Sequence, residues 1–163
     1  MRRSICVLAC FLMLFAPLAH AQSEKNASDG VRARLSRLFD GMRAGDSTAV
    51  RAVFVDDARL QTALPSGDST IVRTTPIRAF VAAVGRPHDA VWDERIWDVE
   101  VRVDEPMAAA WVPYAFYRGD DLSHCGVNAV HLVRHGDGWK ILHLTDTRTP
   151  AADCTIPDAV ASP

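Results

Sequence analysis

Residues 124–148, HCGVNAVHLVRHGDGWKILHLTDTR, decide the fold that this sequence predicts. Two apolar runs flank His135-Gly136-Asp137-Gly138, and an Asp-Gly pair readily adopts the positive φ angles that a tight hairpin turn needs. The stretch therefore predicts two long antiparallel strands, with Trp139 and Ile141 well buried on the second one. Polar side chains interrupt both runs, so we expect a sheet that is covered on one face and lines a space on the other.

The length of the turn sets which polar residues face each other across this hairpin. A three-residue turn gives the cross-strand pairs His131–His143, Asn128–Asp146 and Gly126–Arg148. A two-residue turn shifts the register and breaks these pairs.

The chain opens with the pattern of a secretory signal peptide over residues 1–21. Arg2 and Arg3 precede an apolar run from Ile5 to Leu18, and the A-x-A cleavage signal follows at residues 19–21. A bilayer-spanning helix needs about 20 apolar residues, so this shorter run predicts export. We expect a periplasmic or secreted protein with no membrane segment after cleavage.

Composition and cysteine content limit the classes of function. Removal of 21 of the 163 residues leaves 142, the size of one domain, with 16 basic and 20 acidic residues. A mildly acidic chain predicts no nucleic-acid partner. Cys125 and Cys154 remain after cleavage, and an oxidising compartment favours a disulfide between them over two unpaired cysteines. No C-x-x-C spacing occurs. Of the four histidines considered for a metal site, His124, His131, His135 and His143, only His131 and His143 are expected to face each other, and two ligands are too few for zinc, so we expect no metal and no cofactor.

Helical signals dominate the first half of the chain. Apolar residues at helical spacing predict a first helix from Val31, capped by Ser28 or Asp29, after a flexible lead-in at residues 22–30. Asp46 is expected to cap a short second helix, and Thr75-Pro76 to open a third.

Strand signals dominate the second half. Alternation from Trp97 to Val103 predicts one clear strand, and residues 108–117 predict another that is apolar on both faces. Residues 149–163 predict a C-terminal tail without secondary structure. Helices followed by a meander of strands indicate an α+β domain with its N-terminal helices on one face of an antiparallel sheet.

The order of four short motifs resembles the NTF2-like superfamily, and is most similar to its secreted SnoaL-like and lumazine-binding-like bacterial proteins. The motifs are Ala44-Gly45-Asp46, VFVDDA at residues 53–58, Thr75-Pro76 and Gly138-Trp139-Lys140-Ile141. The resemblance covers residues 31–148 and implies a strongly curved antiparallel sheet that forms a cone around a pocket. It implies no single activity, because the fold carries isomerases, dehydratases, epoxide hydrolases and non-catalytic binders. Thr62 stands where the ketosteroid isomerase branch has its catalytic aspartate, which argues against that chemistry.

A pocket of this kind needs apolar walls and a few polar contacts. The candidate walls are Leu35, Phe39, Phe80, Trp111 and Leu144, and the candidate polar contacts are Tyr114, His124, Asn128, Asp146 and Arg148. Asp146 with Arg148 is also consistent with a structural ion pair at the end of the last strand, which is the commoner explanation for such a pair. The catalytic residues are unknown, with His124 or Asp146 as candidates for moving a proton.

Three classes of function remain open. The first is an exported protein that binds a small apolar molecule without chemistry. The second is an acid–base enzyme, such as an isomerase, dehydratase or hydrolase, and the third is an interaction module that forms a homodimer through the sheet. A deep cavity that contains a carboxylate or histidine with a perturbed pKa favours the enzyme. The same cavity without such a group favours the binder, and a filled cone with an exposed apolar sheet face favours the interaction module.

Overall fold

The computed structural model describes residues 16–136 and 138–161. Most of the predicted signal peptide, residues 1–15, therefore lies outside the described residues, and for residues 16–21 only the backbone is described. Within the described ranges, none of the helices combines the length and apolar character that a membrane crossing requires.

The described chain consists of helices followed by an eight-stranded sheet, which confirms the predicted α+β class. The helices are α1 (Ala16–Ala44), α2 (Ser47–Ala52), α3 (Ile77–Val84) and α4 (Asp158–Ala161), with a 3-10 helix at Ala151–Asp153. The strands are β1 (Phe54–Ser66), β2 (Ser69–Pro76), β3 (Trp92–Ile96), β4 (Glu100–Asp104), β5 (Met107–Arg118), β6 (Asp121–His135), β7 (Gly138–Thr147) and β8 (Thr149–Pro150). Along the sheet the order is β2-β1-β7-β6-β5-β3, while β4 also pairs with β5 and β8 with β6.

Local sequence explains where the first elements end. Gly45 adopts a φ of 65° directly after α1, a conformation that glycine reaches without a steric cost. Asp46 then caps α2 as predicted, because its carboxylate accepts hydrogen bonds from the backbone N–H groups of Thr48 (3.0 Å) and Ala49 (2.9 Å). Thr75 and Pro76 end β2, and α3 follows at the predicted place.

One strand pair departs from the predicted antiparallel sheet. β1 runs parallel to β7, and this register sets Thr62 beside Asp146. Parallel neighbours need a long connection, and here that connection contains α3 and the strands β2 to β6. The sheet is therefore mixed, with all its other strand pairs antiparallel.

The β6–β7 hairpin contains both of the registers that the sequence allows. Next to the turn, His135 pairs with Gly138, which leaves a two-residue loop. The register then shifts between His131 and Leu132, where Leu142 is the extra residue on β7. Beyond this bulge the pairs are His131–His143 and Asn128–Asp146, as the three-residue turn predicted. Arg148 falls between β7 and β8, so the predicted pair with Gly126 does not form part of the ladder.

The flexible lead-in predicted at residues 22–30 is wrong, because α1 already covers this segment. Ala27 is buried in the core, and a Cβ added at Gly30 would lie 3.1 Å from Cδ1 of Trp139, so this part of the helix packs on the sheet. Ser28 and Asp29 consequently lie inside the helix instead of capping it. Lys25 and Asp29 form an i,i+4 ion pair that supports the extension.

The single strand predicted from Trp97 to Val103 is also wrong in its bounds. Asp98 adopts a φ of 42°, which interrupts an extended chain and separates β3 from β4. The alternation does survive within β4, where Glu100, Arg102 and Asp104 are exposed.

The C-terminal tail is ordered rather than irregular. It contains β8, the 3-10 helix and α4, in contrast to the prediction of no secondary structure after Thr149. The predicted disulfide between Cys125 and Cys154 is confirmed, with a Cα–Cα distance of 5.9 Å. This bond fixes the tail to β6, and β8 extends the same attachment through the Cys125–Thr149 pair.

Trp139 fills the space between α1 and the sheet. The residue is 2% exposed and the guanidinium of Arg134 lies 4.5 Å from its ring, while Ile141 two residues further is fully buried. These values confirm the prediction that both side chains are well buried.

Replacement of Trp139 by alanine removes the largest fully buried side chain, so we expect Trp139→Ala to lower the free energy of unfolding by about 3–5 kcal/mol. Trp111→Ala is the matched control, since Trp111 is 53% exposed and should cost less than about 1 kcal/mol. Chemical denaturation of both variants checks this. Equal losses in the two variants would contradict the packing described for Trp139.

Candidate functional site

A cavity of about 540 Å³ lies between α1, α3 and the inner face of the sheet. Its apolar walls come from all three parts of the fold and consist of Leu38, Phe39, Met42, Phe54, Leu60, Phe80, Trp92, Phe116 and Leu144. Its polar lining includes Thr62, Glu94, Tyr114, His124, Asn128, Asp146 and Arg148. The polar groups therefore share one space that is otherwise apolar.

Strand alternation explains why these residues meet. Side chains two apart on a strand share a face, so Tyr114, Phe116 and Arg118 of β5 all line the cavity. On β7 the bulge at Leu142 decides which side chains line the cavity, because it brings Leu144 and Asp146 to the inner face.

Asp146 is the centre of a hydrogen-bonded group at the end of β7. Its carboxylate accepts hydrogen bonds from Oγ1 of Thr62 (2.7 Å) and Nε of Arg148 (2.8 Å), and the residue is only 8% exposed. The Tyr114 hydroxyl lies 3.4 Å from the carboxylate but donates a shorter hydrogen bond, of 2.9 Å, to the carbonyl oxygen of Thr147. A buried carboxylate with these donors is held in one orientation.

Gly126 permits this arrangement. A Cβ at this position would overlap the carbonyl group of Thr147, which is the group that the Tyr114 hydroxyl reaches. Val127 continues the contact, because its N–H donates to Oγ1 of Thr147 at 3.2 Å. Glycine is therefore required where the end of β7 closes on β6.

Glu94 is the carboxylate that sequence reasoning missed. It lies on β3, is only partly exposed, and accepts a hydrogen bond of 2.8 Å from Nδ2 of Asn128. Burial raises the pKa of Glu94 to about 7, and the negative charge of Asp146 acts in the same direction. The hydrogen bond from Asn128 and the positive charge of Arg148 oppose this change without cancelling it.

His124 and Tyr114 complete the polar end of the cavity as neutral groups. Burial lowers the pKa of His124, and the positive charge of Arg148 adds to this effect against the opposing charge of Asp146. Burial also raises the pKa of Tyr114, with further contributions from Asp146 and Glu94. The two rings meet edge to face, with centroids 5.7 Å apart.

Family membership follows from the comparison with known families. The family described as "Putative lumazine-binding" matches residues 26–145, which is most of the chain. The chain belongs to this lumazine-binding-like family. A search of the curated proteins finds no match.

Several solved structures similar to this lumazine-binding-like chain are described as NTF2-like proteins. One from Novosphingobium aromaticivorans, described as NTF2-like with a cystatin-like fold, is 15% identical, with coverage of 98% of this chain and 96% of that chain and a TM-score of 0.63. One of unknown function from Shewanella baltica is 15% identical, with coverage of 76% and 94% and a TM-score of 0.59. One of unknown function from Pseudomonas putida is 20% identical, with coverage of 82% and 96% and a TM-score of 0.60. These likenesses concern the fold alone, and they confirm the predicted NTF2-like cone, with its helices and a curved sheet.

Most of the predicted site residues of this lumazine-binding-like chain lie together. The five predicted polar contacts and the predicted walls Phe39, Phe80 and Leu144 line the same cavity. Trp111 does not line it, because its odd position on β5 turns it to the outer face, where it is exposed. Leu35 does not line the cavity either, and is fully buried in the core.

The two histidines considered for a metal lie on the other side of the sheet. The rings of His131 and His143 have centroids 5.9 Å apart, and His143 contacts Gln61 through a hydrogen bond of 2.8 Å. Among residues 16–136 and 138–161, no group of three or more His, Cys, Asp or Glu side chains could hold a metal ion.

The raised pKa of Glu94 predicts a pH dependence of stability. Between pH 4.5, the ordinary value, and about 7, the folded state keeps a proton that the unfolded state has lost, so the free energy of unfolding falls as the pH rises. Glu94→Gln removes this contribution. We expect the stability of the variant relative to wild type to increase by about 3 kcal/mol across this range.

Denaturation curves from pH 4 to 8 for wild type and Glu94→Gln measure this difference. Glu100→Gln, the same change on the exposed face of β4, is the control for the loss of a negative charge. A difference between wild type and Glu94→Gln that stays constant with pH would show that Glu94 is not buried as described.

Proposed function

We propose that this protein binds a small, mostly apolar molecule in the cavity between α1, α3 and the sheet. The observation that carries the proposal is the convergence of five separately predicted polar residues on one largely apolar cavity of about 540 Å³. Small-molecule sites in proteins commonly have volumes of about 300–1,000 Å³ and this division between apolar walls and few polar groups. Membership of the lumazine-binding-like family supports the same proposal.

The walls and the polar end have different parts in binding. The phenylalanine rings of α1, β1 and α3 contribute affinity, because a bound molecule removes their apolar surface from water. Asn128 and Arg148 give direction to the bound molecule. Asn128 donates one amide hydrogen to Glu94 and has a second one to donate. Arg148 pairs with Asp146 through Nε and lines the same cavity.

An acid–base enzyme is the second candidate, and Glu94 is the observation that favours it. A carboxyl group with a pKa of about 7 in a mostly apolar cavity can accept or donate a proton at neutral pH. Glu94 suits this role better than Asp146, whose carboxylate already accepts hydrogen bonds from Thr62 and Arg148. Asn128 would orient Glu94, and Asp146 would disfavour its ionised form.

Export to the periplasm or outside the cell remains part of the proposal. The Cys125–Cys154 disulfide supports it, because disulfides persist in oxidising compartments. The predicted homodimer through the sheet stays a prediction. Met107, Trp111 and Leu142 are the exposed large apolar residues on strands β5 and β7.

A ligand screen separates binding from catalysis. Native mass spectrometry of the purified protein first detects any molecule that it carries, and a thermal-shift screen of small apolar carbonyl compounds then finds further ligands. We expect ligands to raise the melting temperature of wild type by several degrees, and Asp146→Asn to lose most of this increase, because the polar end is then no longer held in place.

Turnover of the same ligands is measured in wild type, Glu94→Gln and the control Glu100→Gln. Turnover in wild type and Glu100→Gln that is lost in Glu94→Gln supports the enzyme, whereas binding without turnover in any variant supports the binder. Equal stabilisation of wild type, Asp146→Asn and Glu94→Gln by every ligand would contradict the proposed site.

A further inference from the structure

The C-terminal segment, residues 149–161, follows a defined path over the outer face of the sheet. It starts at β8 on β6, is bonded to Cys125 through Cys154, and ends in α4. Along this path Cys154 and Ile156 pack on a small core cluster of Ala115, Tyr117 and Cys125. The segment therefore crosses β6 and β5 toward the edge strand β3.

A chain of polar contacts fastens the end of this segment to β3 and α1. Nη1 of Arg95 donates to the carbonyl oxygens of Val160 (3.0 Å) and Ala161 (3.2 Å), while its Nε donates to Asp93 (2.8 Å). Asp93 also accepts a hydrogen bond of 2.7 Å from Arg43 of α1. Burial alone would raise the pKa of Asp93, but the two arginines outweigh it and the pKa is lowered. The aspartate is therefore a stable anion in the middle of this chain.

A second cavity, of about 350 Å³, lies where the segment ends. It occupies the gap between α1 and the edge strand β3, and Ala159 and Val160 of the segment are part of its lining. Two residues, Phe39 and Glu94, line both this cavity and the larger one. Glu94 therefore borders both cavities.

We infer that the gap between α1 and β3 is a second entrance to the main cavity, and that residues 149–161 form a strap that narrows it. The Cys125–Cys154 disulfide fixes the root of the strap, and Arg95 fixes its tip. With the strap in place, Ala159 and Val160 restrict the approach of water to Glu94 through the gap. With the strap released, this approach is wider.

The ionisation of Glu94 reports on the strap without any ligand, so the inference does not depend on the proposed function. The titratable and charged groups that share a cavity with Glu94 are Tyr114, Arg118, His124, Asp146 and Arg148 in the main cavity and Asp40, Arg43 and Arg95 around the gap, and Asn128 donates a hydrogen bond to it. Burial is the largest influence on this carboxyl group, so access of water should return its pKa toward the ordinary value.

Carbon-13 labelling of glutamate side chains makes the measurement direct. The chain has four glutamates, Glu24, Glu94, Glu100 and Glu105, and loss of one signal in Glu94→Gln identifies the resonance. The strap is tested with two variants: a chain that ends at Pro157, and the pair Cys125→Ser with Cys154→Ser. In both we expect the titration midpoint of Glu94 to fall by about one pH unit or more relative to wild type.

The shortened chain lacks the tip of the strap, which includes Ala159 and Val160, but keeps β8 and the disulfide. It therefore tests the effect of the tip on Glu94 while the root of the strap stays bonded to β6. The terminal carboxylate of this chain then follows Pro157 instead of Pro163, and a negative charge closer to Glu94 would raise the midpoint, so it cannot imitate the expected fall. Asp158→Asn is the control for the negative charge that the shortening removes. In this variant the titration midpoint of Glu94 should equal that of wild type.

A wild-type midpoint for Glu94 in the shortened chain overturns the strap. A lower midpoint in the shortened chain together with a wild-type midpoint in the serine pair overturns the role of the disulfide as its lock. Amide hydrogen exchange of residues 149–157 in the serine pair provides a second reading, and faster exchange there is the expected result.

Discussion

The single bulged residue in the β6–β7 hairpin is the constraint on which the candidate site depends. Leu142 is accommodated as an extra residue, so β7 keeps a two-residue loop at one end and a shifted register at the other. Without the shift, every side chain beyond it would exchange faces, because strand side chains alternate with a period of two. Asp146 and Leu144 would then lie on the outer face, and Asn128 would have no carboxylate opposite it.

The sequence predicted the parts of this protein that depend on alternation and turn chemistry. The helix cap at Asp46, the hairpin and the buried Trp139 follow from local patterns that need no knowledge of distant partners. The disulfide follows from the export signal and from the two cysteines that remain after cleavage. Trp111, one of the predicted wall residues, does not line the cavity, because its odd position on β5 turns it to the outer face.

Other features are set by contacts between distant parts of the chain, which local patterns do not reveal. Glu94 alternates with Trp92 and Ile96 on one strand, so the three side chains share a face. A carboxylate between two apolar side chains was the one local feature that could have indicated a functional role for Glu94. The strand that contains Glu94 has only five residues, too few to show a clear alternation. The positive φ of Asp98 separates this strand from the next one, and the sequence does not reveal this break. The early start of α1 likewise comes from the packing of Ala27 and Gly30, and the order of the tail comes from Arg95. The parallel pairing of β1 with β7 has no local signal at all.

That parallel pairing also governs how the chain can reach its native state. The hydrogen bond between Thr62 and Asp146 joins residues 84 positions apart, and β1 cannot take its place between β2 and β7 until β7 exists. Contacts with such large sequence separation slow folding, because the entropy of closing a long loop is lost before the contact forms. During synthesis, the β1–β2 hairpin and α1 precede the strand that completes them. The order of synthesis thus opposes the order of assembly, and the early elements keep exposed apolar surface until the last strand arrives.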